Sequence, residues 1–298
     1  MKRWLWLLVL AAIFWTVQAQ AQAIRIVDDR GRVVQLPSPP QRVVSILPSL
    51  TETVCGLRQC HRLVGVDRYS SWPATVRDLP RVGGGVDPSI EAIVALRPDV
   101  VLVAMSSRGA QRLESLGLKV VALEPRTHDD VRRVTQQVAQ VLGLPAGEAA
   151  RLWQHIDAAV AAAARSVPPH ARGARVYFEV NRAPYAAGES SFIGETLARL
   201  GARNIVPADL GPFPKLNPEY VVQANPDVIM VGDRHFEGLA GRPGWNRIRA
   251  VREQRVCVFG PEDSDIIVRP GPRMADGARL LANCLAEKAP AAGEGVAQ

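Results

Sequence analysis

Ser89-Ile90-Glu91-Ala92-Ile93-Val94-Ala95-Leu96-Arg97-Pro98-Asp99-Val100-Val101-Leu102-Val103 and Asn217-Pro218-Glu219-Tyr220-Val221-Val222-Gln223-Ala224-Asn225-Pro226-Asp227-Val228-Ile229-Met230-Val231 are one stretch written twice. At a constant offset of 128 residues they share the Glu, an inner Val, the Pro-Asp pair and two valines of the final run. Each copy reads as a short helix, a turn and a strand. Ser89 and Asn217 suit the N-cap, and Pro218 suits the first helical position. Pro98 and Pro226 stop the helix, because the residue before proline is pushed out of the α region. The apolar run after each Asp fits a strand covered on both faces. Two such copies, nearly half a chain apart, predict two similar lobes.

The bulk numbers agree with a folded α/β protein: 298 residues, 47% hydrophobic and 22% charged. The net charge of +7 is spread over scattered residues, mostly arginine. No basic run or interleaved aromatics mark a nucleic-acid surface. Residues 1–23 read as a secretory signal peptide: Lys2-Arg3, an apolar core from Trp4 to Val17, then two A-x-A sites in Ala19-Gln20-Ala21-Gln22-Ala23. That core is short for a membrane span. The mature protein is therefore expected in the periplasm, where disulfides are permitted. Cys55 and Cys60 are close enough to pair at a helix end, and Cys257 and Cys284 fall in the last strand and last helix. Spacing leaves the connectivity open.

Along the chain, Ile24 to Leu36 alternates as a hairpin around Asp28-Asp29-Arg30-Gly31. Strands are expected at Arg42–Leu47, Leu63–Val66 and Val120–Leu123; Pro48-Ser49-Leu50-Thr51-Glu52 leads into a short helix ending near Gly56, and further helices are expected at Arg112 to Leu116 and His128 to Leu142. This alternation predicts a parallel-sheet lobe over residues 24–144. Residues 145–168, rich in alanine with Leu152, Trp153, Ile156 and Val160 at helical spacing, predict one long helix ended by Pro168-Pro169. A second lobe follows over 169–287. It has strands at Val176–Val180 and Val256–Phe259, a loop and helix over Gly188–Leu200, and helices at Trp245–Val251 and Gly271–Leu285. Residues 288–298 read as a disordered tail. The fold class is thus α/β: two Rossmann-like lobes with central parallel sheets, joined by one backbone helix. Ligands of such sheets bind at the carboxyl ends of the strands. The loops there include Pro48–Thr51, Asp67–Trp72, Gly83–Asp87, Met105–Arg108, Asn181–Tyr185, Leu210–Phe213 and Glu262–Arg269.

Together these features resemble the periplasmic substrate-binding proteins of ABC importers that have a single rigid helix between lobes. That family takes up vitamin B12, ferric siderophores or haem. The resemblance covers residues 24 to 287. Its vitamin B12-binding members are the most similar, through Arg42-Val43-Val44-Ser45-Ile46-Leu47-Pro48-Ser49-Leu50-Thr51-Glu52, Leu63-Val64-Gly65-Val66-Asp67-Arg68-Tyr69-Ser70-Ser71-Trp72-Pro73 and the unit from Ile90 to Leu102. The resemblance implies a ligand, cobalamin or a related corrinoid, held by Ser49, Leu50, Tyr69, Trp72, Gly85, Phe213 and Asp265, with no resident cofactor or metal. It also implies that Glu91 and Glu219, one per lobe, dock on arginines of an inner-membrane ABC permease dimer. Exposed acids on pseudo-symmetric lobes suit a two-fold partner and bidentate arginine pairing. Helix-start acids stabilised by the macrodipole are the ordinary alternative.

Three positions depart from the vitamin B12-binding pattern. Gly85 stands where a tryptophan is found, Val180 where a phenylalanine is, and the partner position of Cys284 falls near Leu200. Haem or a siderophore stays open as ligand. Tyr69 is the candidate axial ligand for haem. Arg269 and Arg273 are either contacts for an anionic siderophore or ordinary surface and helix-start charges. His61, His128, His155, His170 and His235 are dispersed, which disfavours a metal-ion receptor. Gly83-Gly84-Gly85 is neither a dinucleotide fingerprint nor a P-loop, and Gly188-Glu189-Ser190-Ser191 is no nucleophile elbow, so no enzyme is expected.

Overall fold

The computed structural model describes residues 23–181, 185–232, 238–239 and 241–290. The expected signal peptide (apart from Ala23), His235 and the tail beyond residue 290 lie outside the described residues. The hairpin forms as β1 (Ile24–Val27) and β2 (Val33–Leu36), paired antiparallel. In the N-lobe, β3 (Val43–Ser45), β4 (Leu63–Val66), β5 (Val100–Val103) and β6 (Val120–Ala122) make an all-parallel sheet of order β4-β3-β5-β6. The C-lobe sheet is built on β7 (Arg175–Asn181), β10 (Val228–Val231) and β11 (Val256–Val258), in the order β11-β10-β7 and all parallel. Two short strands not expected from the sequence, β8 (Tyr185–Ala186, antiparallel) and β9 (Arg203–Asn204, parallel), both pair with β7.

The duplicated stretch is duplicated in space. Ser89 caps the helix Ile90–Ala95 and Asn217 caps Pro218–Ala224, each through its side chain. Both helices end on a left-handed residue, Arg97 (φ 43°) and Asn225 (φ 44°), so the turn before each proline is an αL cap. The Pro-Asp aspartates then do the same job twice. The Asp99 carboxylate accepts from the N–H groups of Gln41 and Arg42 at 2.8 and 2.9 Å, and that of Asp227 accepts from Arg175 N–H at 2.9 Å. Each aspartate therefore ties its own strand to the start of the lobe's first central strand. Strands β5 and β10, which follow, are fully buried along their length.

The linking helix spans Ala146–Ser166, 21 residues or roughly 30 Å. Its first turns put Ala149 and Leu152 against the N-lobe core, and its later turns put Ile156, Val160 and Ala163 into the C-lobe core. The same helix is thus a wall of both lobes, which makes it a strut. The C-terminal helix Met274–Lys288 packs along it, so Lys288 belongs to a helix and not to the tail. Two further expectations change. Glu262–Arg269 is no loop: Pro261 at the helix start and the acids Glu262 and Asp263 in the first turn begin the helix Pro261–Val268. Trp245–Val251 divides into a 3-10 turn, Trp245–Arg247, and the helix Arg249–Arg252. Disulfides join Cys55 to Cys60 and Cys257 to Cys284. The second one ties β11 to the last helix, so Cys284 has a partner although Leu200 is not cysteine.

Candidate functional site

The loops that leave the carboxyl ends of the strands meet where the lobes face each other. There Leu47, Pro48, Ser49 and Tyr69 of the N-lobe and Asp265, Val268, Arg269 and Pro270 of the C-lobe line a groove of about 340 Å³. Pro48–Thr51 is no loop but the first turn of the helix Pro48–Gly56 that follows β3, and Ser49 lies in it; Tyr69 belongs to the loop after β4, and the C-lobe wall is the end of the helix Pro261–Val268. The sheets therefore set the position of one wall and a helix terminus the other. Three of the expected ligand residues, Ser49, Tyr69 and Asp265, come together here. Tyr69 is 53% exposed and stands at the mouth, with the Arg68 guanidinium 5.9 Å from its ring centre.

The other expected ligand residues sit elsewhere. Leu50 is fully buried in the N-lobe core beside Val54 and does not line the groove, because in the helix Pro48–Gly56 it points to the sheet. Gly85 is a close-approach glycine: a Cβ there would lie 2.9 Å from the carbonyl oxygen of Ile46, at the end of β3. That contact gives glycine a packing reason at this position. Trp72 is half-buried, and Arg273 lies 5.2 Å from its ring centre, so it packs at the seam between lobes. Phe213, 36% exposed, leans on Phe192 with ring centres 6.1 Å apart. Phe192 donates its N–H to the carbonyl of Arg126 in the N-lobe at 2.7 Å, so Phe213 too stands beside the seam.

Under the groove the lobes are joined by a buried ionic cluster that the sequence did not disclose. Glu52, 1% exposed, comes from the N-lobe helix Pro48–Gly56. Its carboxylate accepts from Arg269 Nη1 at 3.0 Å, from Arg273 Nε at 3.0 Å and from Arg273 Nη2 at 2.5 Å. Arg269 also pairs with Asp265 at 2.6 Å. Arg269 and Arg273 are therefore neither surface charges nor free to meet an anionic ligand: Arg269 is buried, Arg273 is largely so, and both are neutralised in place. Beside them Asp67, fully buried, accepts from the Ser70 hydroxyl and from Tyr69 N–H. Burial pushes its pKa up, against the lowering effects of the Ser70 hydroxyl, the Tyr69 amide, Arg269 and Arg81.

A second seam also joins the lobes. His128, the first residue of the helix His128–Val141, reaches the helix Phe192–Arg199 of the C-lobe. Its Nε2 is 2.8 Å from Thr196 Oγ1 and 3.2 Å from the Phe192 carbonyl, and its own N–H donates to Glu195 at 2.6 Å. Burial, then the nearby Arg199, lower the His128 pKa, which favours the neutral imidazole. Among the described residues no group of three or more His, Cys, Asp or Glu is arranged to hold a metal ion.

Glu91 and Glu219 are both exposed, each in the first turn of its helix. Those turns lie at the groove end of the lobes. The loop before Ser89 reaches the end of β3 at Ile46, and the segment before Asn217 pairs with β8 through Tyr185 and Lys215. Residues 43–262 match the sequence model described as periplasmic binding protein. The chain belongs to the periplasmic binding protein family. Among relatives of this periplasmic binding protein, an ABC transporter substrate-binding lipoprotein of Bacillus subtilis is 26% identical over 88% of this chain and 85% of its own length. A cobalamin-binding protein of Halobacterium salinarum is 33% identical over 69% of this chain, a match spanning 57% of that protein. Among solved structures, the apo form of a periplasmic heme-binding protein from Roseiflexus sp. RS-1 is similar with a TM-score of 0.71 and 26% identity, over 84% of this chain and 99% of that one. The two-lobe α/β architecture with a long helix is thus the family's own.

Proposed function

We propose that this protein is a periplasmic receptor that captures a corrinoid, cobalamin first, in the inter-lobe groove and delivers it unchanged to an inner-membrane ABC importer. The observation that carries the reading is the groove itself. An exposed aromatic, Tyr69, stands opposite the apolar Val268 and Pro270, over a floor whose arginines are already neutralised by Glu52 and Asp265. A flat macrocycle gains apolar contact and stacking from such walls. A ligand held by several carboxylate or catecholate arms needs uncommitted cations, and Arg269 and Arg273 are committed. The cobalamin-binding relative supports the same ligand class. Glu91 and Glu219, exposed one per lobe at the groove end, supply the paired acids for a two-fold permease with arginine contacts. Haem is the second reading, because the exposed Tyr69 phenol has the chemistry of an axial ligand to ferric haem.

Absorbance spectra test this directly. The mature protein is incubated with cyanocobalamin, haemin or a ferric siderophore, desalted, denatured, and the released compound examined. Retained colour from cyanocobalamin, released chemically intact, is the expected result. Retention of the siderophore alone, or conversion of any compound offered, overturns it.

A further inference from the structure

Arg269 leaves the C-lobe at the end of the helix Pro261–Val268, yet three of its four hydrogen-bond partners belong to the other lobe. Nη1 donates to Glu52 at 3.0 Å and to the Ser71 hydroxyl at 3.3 Å; Nη2 donates to the Tyr69 carbonyl at 2.9 Å and to Asp265 at 2.6 Å. The backbone of Tyr69 is consequently held at both ends. Its N–H donates to Asp67 at 2.8 Å, inside the N-lobe, while its C=O is fixed from across the seam. The next carbonyl, that of Ser70, accepts from Arg81 at 2.6 Å. With both peptide groups immobilised, only the side-chain torsions of the exposed Tyr69 ring are left to vary.

We propose that Arg269 is a positioning residue for ligand capture: from the opposite lobe it fixes the backbone of Tyr69, and with it the direction in which that ring enters the groove. The proposal rests on the reading of the groove as the ligand site. A rigid planar fork is what the task requires, since four acceptors in different directions are met at once by a guanidinium and not by an ammonium. Once the carbonyl is released, the ring and its loop must be ordered at the moment of binding, which weakens affinity by about tenfold.

The test uses the mature protein carrying Arg269→Gln, Arg269→Lys, Tyr69→Ala, or Arg269→Gln with Tyr69→Ala, and cyanocobalamin and haemin as probes. Two quantities are read: amide hydrogen exchange of residues 69–72 without ligand, and the dissociation constant of each probe that the unsubstituted protein binds. Arg269→Gln is expected to accelerate exchange in 69–72 and to raise the dissociation constant about tenfold. In the Tyr69→Ala background the same substitution is expected to change it less than about twofold, because the ring it served is gone. Arg269→Lys, which keeps the buried charge, falls between, and carries the test if Arg269→Gln does not fold. A merely structural role lowers the melting temperature but gives equal losses in both backgrounds; that result, or unchanged exchange in 69–72, overturns the proposal. Accelerated exchange combined with no effect of Tyr69→Ala on either probe overturns the groove reading instead.

Discussion

Glu52→Ala is the substitution whose cost follows most directly from the structure. The carboxylate is 1% exposed and joins the N-lobe to Arg269 and Arg273 of the C-lobe, in a cluster that includes Asp265. Removing it deletes three charge-assisted hydrogen bonds and leaves two buried guanidinium groups with one carboxylate between them. Breaking a buried pair from one side costs about 3–5 kcal/mol, most of it the penalty of the charge left behind. For a protein of this size that is a fall in melting temperature of roughly 10 °C. Thermal unfolding at neutral pH, followed by circular dichroism, measures it. Replacing the whole set by apolar groups, Glu52→Leu with Arg269→Met and Arg273→Met, is expected to recover most of the stability, since no charge is then stranded. The same triple variant should still bind weakly, because the Tyr69 carbonyl has lost its donor. A Glu52→Ala protein that melts within about 2 °C of the parent would refute the claim that this cluster joins the lobes.

His128 gives the second seam a pH dependence. Its folded pKa is lowered, so the unfolded chain binds more protons below 6.5, and the stability it contributes is present above 6.5 and lost as pH falls through the folded value. Arg199, Asp157, Asp129 and Glu195 face it, and Glu195, whose own pKa burial raises from 4.5, acts with the opposite sign as pH rises above 4.5. Melting temperatures between pH 7.5 and 5.5 should fall more steeply for the parent than for His128→Gln; equal slopes contradict the assignment. Glu91→Ala with Glu219→Ala is expected to abolish uptake in a transport assay while leaving the ligand dissociation constant unchanged, and normal transport by that double variant removes the docking role. Because the linking helix and both seams brace the lobes, small-angle scattering profiles with and without ligand should nearly superimpose; a large compaction contradicts this.

What was legible in the sequence was local and periodic. The repeat centred on Glu91 and Glu219 announced itself because cap, proline and aspartate recur at fixed spacing, and the structure uses each of them twice. The linking helix was equally plain from its alanines and apolar spacing. The groove was readable only as a set of loops. Ser49 and Leu50 are neighbours in one helix, yet one lines the groove and the other fills the core, since the facing of a short helix depends on what packs against it. The pairing of Glu52 with Arg269 joins positions 217 residues apart and leaves no spacing signal. The helix Pro261–Val268 is different: its proline and paired acids are a start signal, outweighed by reading the stretch as cleft loop. The αL turns at Arg97 and Asn225 were hidden by the proline rule, which disfavours helix but does not choose what replaces it.

Calorimetric titration of the protein with cyanocobalamin, cobinamide, haemin and a ferric siderophore bears most directly on the groove. The expected result is one saturable site for the corrinoids with a negative heat-capacity change, as apolar burial requires, weakened by Tyr69→Ala. Saturable binding of the siderophore with none of either corrinoid, or corrinoid binding indifferent to Tyr69, would contradict it.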